Sequence, residues 1–173
     1  HQTSDLGVGG SNPPARARWR VRQTTSPLFF RIMIVYTSGY EGKTIDGFVR
    51  QLKEHGIALL VDIRELPLSR KPGFSKSAIQ AALRAAGIEY VHLRELGTPR
   101  AIRQELRKSG HYQKFLAQYR DYLKGQEEAL NELIGMAAHK TVCLMCYEED
   151  PHRCHRSVVA EHLHKHGIGV RHL

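Results

Sequence analysis

From Met33 to the C-terminus, short apolar runs alternate with longer stretches whose apolar positions recur every three or four residues. Ile34 to Thr37 reads as a buried strand closed by Ser38-Gly39. Ile45, Phe48, Val49 and Leu52 then stand at i, i+3, i+4 and i+7, one face of a helix that stops at Gly56. Ile57 to Val61 is an unbroken apolar run, the mark of a strand covered on both faces. Ser75 caps a second predicted helix with the stripe Ile79, Ala82, Leu83 and Ala86, closed by Gly87. Ile88 to Leu93 is a third strand, and a helical middle section follows over Ala101–Lys108, Tyr112–Lys124 and Glu127–Ala138. Thr141 to Met145 predicts a fourth strand and a helix runs on to His166. Gly167 stops that helix, and Ile168–Leu173 is the last strand.

Strands separated by helices predict an α/β fold: a single domain with a mostly parallel sheet and helices on both faces. Residues 1–27 show no apolar period and are rich in Gly, Ser, Pro, Thr and Arg, a disordered composition. The folded unit is therefore expected over 33–173. Residues 1–32 read as a disordered basic extension or as sequence upstream of the start at Met33.

Ligands of open parallel sheets bind beyond the carboxyl ends of the strands. Polar residues crowd those ends here, at Tyr40-Glu41, at Asp62 and Arg64, at Arg94-Glu95, and at Cys146 with Glu148-Glu149-Asp150. Asp62 and Arg64 are two apart on an extended chain and point to the same side. That spacing suits acid–base work with an anion held by the guanidinium, and equally suits a structural pair. The connection Pro67–Ser75 is basic and turn-rich. It offers Arg70 and Lys71 to a phosphate, Phe74 as a stacking face, and the free N–H groups at Ser75–Ala78 to an anion.

The stretch from Cys146 to Ser157 carries the most chemistry. Asp150-Pro151 is a good helix N-cap and first-turn pair. If the helix starts there, Cys154 sits in its second turn. If a separate turn precedes the helix, Cys154 lies at its N-terminus, where the dipole with His155 and Arg156 would lower the thiol pKa. Cys154 is then a candidate nucleophile and Arg156 an oxyanion clamp, set against a buried cysteine with a capping His/Arg pair. Cys154 and Arg156 are only two apart, which is not the phosphatase loop spacing. Zinc is a weaker reading. Cys143-x2-Cys146 with Cys154-His155 supplies four ligands, but Cys143 falls inside a buried strand, so no metal site is expected. His162 and His166, at i and i+4, read as a solvent-facing pair.

Composition bounds the function without naming it. The chain has 173 residues, 41% hydrophobic and 25% charged, ordinary for one globular domain. No apolar run approaches the roughly 20 residues of a membrane span. The best stretch, Leu28 to Tyr36, is interrupted by Arg31 and lacks a cleavage site, so neither a membrane partner nor a signal peptide is expected. Three clustered cysteines fit a reducing compartment, and a cytoplasmic location is expected. The net charge is +9, of which five arginines against Asp5 place +4 in residues 1–32. A basic balance draws phosphates and nucleic acid, although a solvated surface produces the same number.

Taken together, these motifs resemble the family catalogued as domain of unknown function 488. The matching pieces are Tyr36-Thr37-Ser38-Gly39-Tyr40, Leu60-Val61-Asp62-Ile63-Arg64, Ser69-Arg70 through Pro72-Gly73-Phe74-Ser75, Gly87-Ile88-Glu89-Tyr90 with His92 to Gly97, and Cys146 through Cys154-His155-Arg156-Ser157. The resemblance spans residues 33–173. It implies the α/β architecture and no settled activity. It also implies Cys146 and Cys154 as pattern positions and a variable Cys143. Ser38 stands where the family often has Ile, and Tyr147 where it often has Ala.

The leading expectation is an enzyme acting on a phosphate-bearing or nucleotide-like substrate, with no cofactor. Asp62, Glu95 and Cys154 are the candidate catalytic residues. Tyr40, Arg64, Arg70, Lys71, Phe74, Cys146, Glu148, His155 and Arg156 are the candidate substrate-binding ones. The rival is a non-catalytic nucleic-acid or nucleotide-binding module. A third reading is a redox pair of Cys146 with Cys154. The oligomeric state is not encoded in any motif found.

Overall fold

Val35, Leu59, Leu60, Val61, Val142 and Leu144 all lie out of solvent at the centre of one sheet in the computed structural model, which describes residues 33–173. The expected extension over 1–32 lies outside the described residues. The strands are β1 (Ile34–Gly39), β2 (Leu59–Asp62), β3 (Glu89–His92), β4 (Val142–Cys146) and β5 (Gly169–His172). Their order is β3-β2-β4-β1-β5, and every pairing is parallel. An all-parallel sheet needs cover on both faces, which is why β2 and β4 are buried at every position.

Helices α1 (Ile45–Glu54) and α2 (Lys76–Ala85) cover one face, while α4 (Tyr112–Leu123), α5 (Glu127–His139) and α6 (Arg156–Lys165) cover the other. The amphipathic α3 (Arg100–Ser109) lies at the margin of the second layer, with Ile102 and Leu106 half-buried against it. The period-2 alternation of β4 sorts its side chains. Val142 and Leu144 enter the α4–α6 core, whereas Cys143 and Met145 enter the α1–α2 core.

The expected elements all form, with boundaries moved by a residue or two. β1 runs through Ser38-Gly39 instead of closing there, because Ser38 and Gly39 keep their pairing with Met145 and Cys146. Thr44 caps α1, its hydroxyl accepting from Gly47 N at 3.2 Å. Ser75 takes the N-cap position of α2 but its side chain makes no capping bond; the first free N–H there, from Lys76, goes to the Pro67 carbonyl at 3.0 Å. A short 3-10 turn, Pro151–Arg153, precedes α6 and is capped by Asp150, which accepts from His152 N at 2.9 Å. Cys154 therefore lies in extended backbone just before α6, the second of the two arrangements expected.

Two glycines let loops close over the strand ends. A Cβ on Gly39 would stand 1.8 Å from the Glu148 carbonyl oxygen, and one on Gly97 would stand 2.1 Å from Glu65 N. Both neighbours are backbone and cannot swing aside. Gly97→Ala should cost about 1–3 kcal/mol through forced displacement of the loop after β2. Gly135→Ala is the control: it lies inside α5 with no atom within 4 Å of a new Cβ, and should stabilise by about 0.5–1 kcal/mol. Urea unfolding of the two variants would read both changes, and equal midpoints would contradict this reading of the loop contact.

Candidate functional site

β2 leads through α2 outward to β3, while its neighbour β4 leads through α6 in the opposite direction to β5. Connections that diverge from adjacent strands leave a crevice at their carboxyl ends. A cavity of about 340 Å³ opens there, bordered by Arg64 after β2, Cys146, Tyr147 and Glu148 at the end of β4, Tyr40 after β1, and His155 before α6. The loop Leu66–Arg70 and the face of α3 carrying Arg103, Leu106 and Arg107 form its outer wall.

The wall under Arg64 is an internal ion pair. Asp62 is fully buried and accepts from Arg64 N at 3.1 Å, Arg64 Nε at 2.9 Å, Arg64 Nη2 at 2.6 Å and the Tyr90 hydroxyl at 2.8 Å. Arg64 Nη1 donates to the Tyr40 hydroxyl at 3.0 Å and to the Phe74 carbonyl at 2.9 Å. Burial works against the guanidinium charge, but the Asp62 hydrogen bonds and charge outweigh it and raise its pKa further. Burial and the Asp62 carboxylate push the Tyr90 phenol up. With its acceptors filled in this way, Asp62 has no lone pair turned to a substrate, and the pair takes the structural alternative.

The floor is a sulfur–imidazole cluster. His155 Nε2 lies 3.0 Å from the Ile63 carbonyl oxygen, which can only accept, so the ring proton sits on Nε2. In the neutral ring Nδ1 carries the lone pair, and it faces two sulfurs, Cys146 Sγ at 3.6 Å and Cys154 Sγ at 3.8 Å. The Tyr119 ring meets His155 edge-on at 5.0 Å and holds the imidazole plane. Glu148 Oε2 lies 3.1 Å from Cys146 Sγ, within hydrogen-bond reach.

Hydrogen bonding from Cys154 is the main force drawing the Cys146 thiol well below its ordinary pKa, with His155 and Glu148 adding to it and burial opposing. Cys154 moves the other way, pushed well up first by burial and then by the neighbouring Cys146. Burial and the Cys146 charge push Glu148 up to about 7. His155 is raised despite its burial, because the Cys146 charge and hydrogen bond favour the imidazolium. The Cys154 thiol is therefore not lowered at the helix start as expected, because burial and the neighbouring Cys146 push it up. Cys146 lines the cavity and Cys154 does not.

Several expected residues are engaged elsewhere. Arg156 is fully buried and donates through Nη1 and Nη2 to the carbonyls of Glu148 and Glu149, so it fastens the β4–α6 loop and offers no clamp to an oxyanion. Lys71 Nζ donates to the carbonyls of Tyr40 and Glu41. Phe74 is fully buried and stacks on Tyr40 at 4.3 Å and 8°, so no nucleobase reaches its face. Glu95 is exposed on the 3-10 turn Arg94–Leu96 and does not line the cavity; its carbonyl accepts from the Tyr122 hydroxyl at 2.8 Å. The Ser75–Ala78 N–H groups likewise stand apart from the cavity lining. Of the expected set, Tyr40, Arg64, Arg70, Cys146, Glu148 and His155 share the cavity. The rings of His162 and His166 meet at 4.4 Å, tilted by 33°, at the C-terminal end of α6 and away from the cavity lining.

Sequence reasoning passed over Thr98, Arg103, Arg107 and Tyr147, all of which line the cavity. One signal was present: Arg100, Arg103 and Arg107 stand at i, i+3 and i+7, a basic stripe along one helix. Arg103 pairs with Glu65, whereas Arg70 and Arg107 have no ion-pair partner among the described residues.

Two outcomes follow from this geometry. Asp62→Ala should lose about 3–5 kcal/mol of stability by stranding the Arg64 charge, and Asp62→Leu with Arg64→Met should recover most of it; denaturant melts check both, and a neutral single variant would refute the structural assignment. In reduced, chelator-treated protein at pH 7, iodoacetamide should modify Cys146 roughly tenfold or more faster than Cys154 or Cys143, as peptide mass spectrometry would show. Equal rates at Cys146 and Cys154 would place the thiolate wrongly.

Among the described residues no helix is long and apolar enough to cross a membrane. No curated protein and no solved structure matches the chain. The family model described as "Domain of unknown function DUF488" matches residues 44–163, from the cap of α1 to the last turn of α6. That span holds the Asp62–Arg64 pair, the basic connection, and all of Cys146 through Arg156. The chain therefore belongs to the DUF488 family, a domain of unknown function.

Proposed function

We propose that the cavity between β2 and β4 binds a phosphate monoester of nucleotide size and is the seat of an enzymatic activity. The observation that carries this reading is a set of unsatisfied cationic and polar groups around one cavity. Thr98 Oγ1 and Arg103 Nε are buried and have no hydrogen-bond partner among the described residues, and both residues line it. A buried polar atom left unpaired costs about 1–3 kcal/mol, which an incoming oxyanion would relieve. Arg70 and Arg107 add two further cations at the rim, from two different elements. Among the described residues Leu66, Leu68 and Tyr147 are the large apolar side chains most exposed, and all three border the same opening, which suits the flat, less polar part of such a molecule.

The floor supplies the chemistry that a binding module would not need. Cys146, Glu148 and His155 bring a thiol, a carboxyl group raised to about 7 and an imidazole to one point beneath the bound anion. Groups whose protonation is shifted in this way concentrate at reacting centres. Nucleic-acid binding fits less well, because these arginines gather around one cavity and do not track along a groove.

Calorimetric titration with AMP, in the presence of chelator, tests the reading. Binding should be measurable for AMP and at least tenfold weaker for adenosine. Arg107→Ala, at an exposed position on α3, should weaken AMP by about tenfold, the loss of one charge-assisted contact of about 1.5 kcal/mol. Equal affinity for AMP and adenosine would overturn it. Failure with AMP, combined with oligonucleotide binding that collapses steeply with salt, would turn the site over to the nucleic-acid alternative.

A further inference from the structure

Three soft or borderline donor atoms meet at one point under the cavity. Cys146 Sγ, Cys154 Sγ and His155 Nδ1 all lie within 4.8 Å of one another, and all three residues are buried. They come from two segments, the end of β4 and the residues leading into α6, so the fold and not local sequence brings them together. The imidazole is oriented for coordination: Nε2 is committed to the Ile63 carbonyl at 3.0 Å, so in the neutral ring Nδ1 is the nitrogen available to an ion. Metal-bound histidines commonly carry this kind of hydrogen bond on the second nitrogen.

The spacings match a coordination tetrahedron. A zinc ion bound at about 2.3 Å from sulfur and about 2.0 Å from nitrogen sets sulfur–nitrogen edges of about 3.5 Å. The observed edges from Nδ1 are 3.6 Å to Cys146 Sγ and 3.8 Å to Cys154 Sγ. Cys143, the fourth ligand that the sequence suggested, lies in the opposite core with its thiol against the Leu144 carbonyl, so it takes no part. Cys146 and His155 both border the cavity.

We propose that Cys146, Cys154 and His155 bind a tetrahedral zinc-type divalent ion whose fourth position opens to the cavity. Two thiolates and one imidazole select zinc over the hard cations, which prefer oxygen. Three protein ligands with one open position is the pattern of catalytic rather than structural zinc, which uses four. In that role the ion would hold a water or a substrate oxygen at the cavity floor. The assignment rests on the donor geometry alone and does not require the anion reading above.

The test is a cobalt titration of the reduced, chelator-stripped full chain, followed by absorbance with no nucleotide present. Thiolate-to-cobalt charge-transfer bands and strong tetrahedral d–d bands should saturate at one equivalent, and zinc should bleach them. Cys146→Ser, Cys154→Ser and His155→Gln should each weaken binding by at least about tenfold, while Cys143→Ser leaves it unchanged. Circular dichroism checks that each variant folds, and the wild-type titration decides the matter even where one does not. Absence of the charge-transfer bands in the reduced wild-type chain overturns the proposal. So do bands that survive loss of both Cys146 and Cys154. If the bands are absent and mild oxidation joins Cys146 to Cys154, the cluster is a redox pair instead. Because the AMP titration is run with chelator and the cobalt titration without nucleotide, either reading can fail alone.

Discussion

Asp62 carries a carboxylate at the end of a strand that has no solvent contact, and everything around it is arranged to keep that charge tolerable. Desolvating one carboxylate costs several kcal/mol after relaxation, and Coulomb attraction repays it only when geometry and remaining hydrogen bonds are good. Arg64 supplies three of the bonds to Asp62 and Tyr90 a fourth. Arg64 in turn reaches Tyr40 after β1 and the Phe74 carbonyl before α2. One buried pair thus ties together the ends of β1, β2 and β3 and the long basic connection. That network forms the rigid side of the cavity, and Tyr40 owes both its hydroxyl contact and its stacking on Phe74 to it.

The opposite side is fastened by Arg156, which spends its guanidinium on the carbonyls of Glu148 and Glu149. This loop needs the missing side chain of Gly39, because its Glu148 carbonyl approaches that backbone too closely for any Cβ. Two buried arginines therefore do similar work on the two walls: each satisfies backbone or carboxylate oxygens that would otherwise be stranded. The cations left facing the cavity are those farther out, on the connection and on α3. The division is physical. Arginines deep in the fold stay only where they are paired, whereas those at the rim are stable in water and remain available to a ligand.

Between these walls the cluster of Cys146, Cys154 and His155 is held by partners outside it. Ile63 sets the tautomer, Tyr119 sets the ring plane, and the 3-10 turn with its Asp150 cap sets where Cys154 arrives. Burial alone would make both thiols inert. Their mutual contact breaks the symmetry, drawing the Cys146 thiol down and pushing the Cys154 thiol up.

The sequence by itself determined the element order, the parallel character of the sheet and the edge at which polar residues collect. Those properties are written in local periods: i, i+3, i+4 and i+7 for the helices, unbroken apolar runs for β2 and β4, glycine at the helix ends. Membership of the family was legible for the same reason, since the ordered motifs are contiguous. Which polar residues share a cavity was not legible. Asp62, Lys71, Phe74, Arg156 and Glu95 look equal in sequence to Arg70, Cys146, Glu148 and His155. Only the strand order β3-β2-β4-β1-β5 decided that β2 and β4 are neighbours with diverging connections. Only the packing of the segment before α6 against the end of β4 decided that Cys154 and His155 meet Cys146. Periodicity reports which way a side chain points from its own backbone, but convergence depends on residues dozens of positions apart, and that is a property of packing.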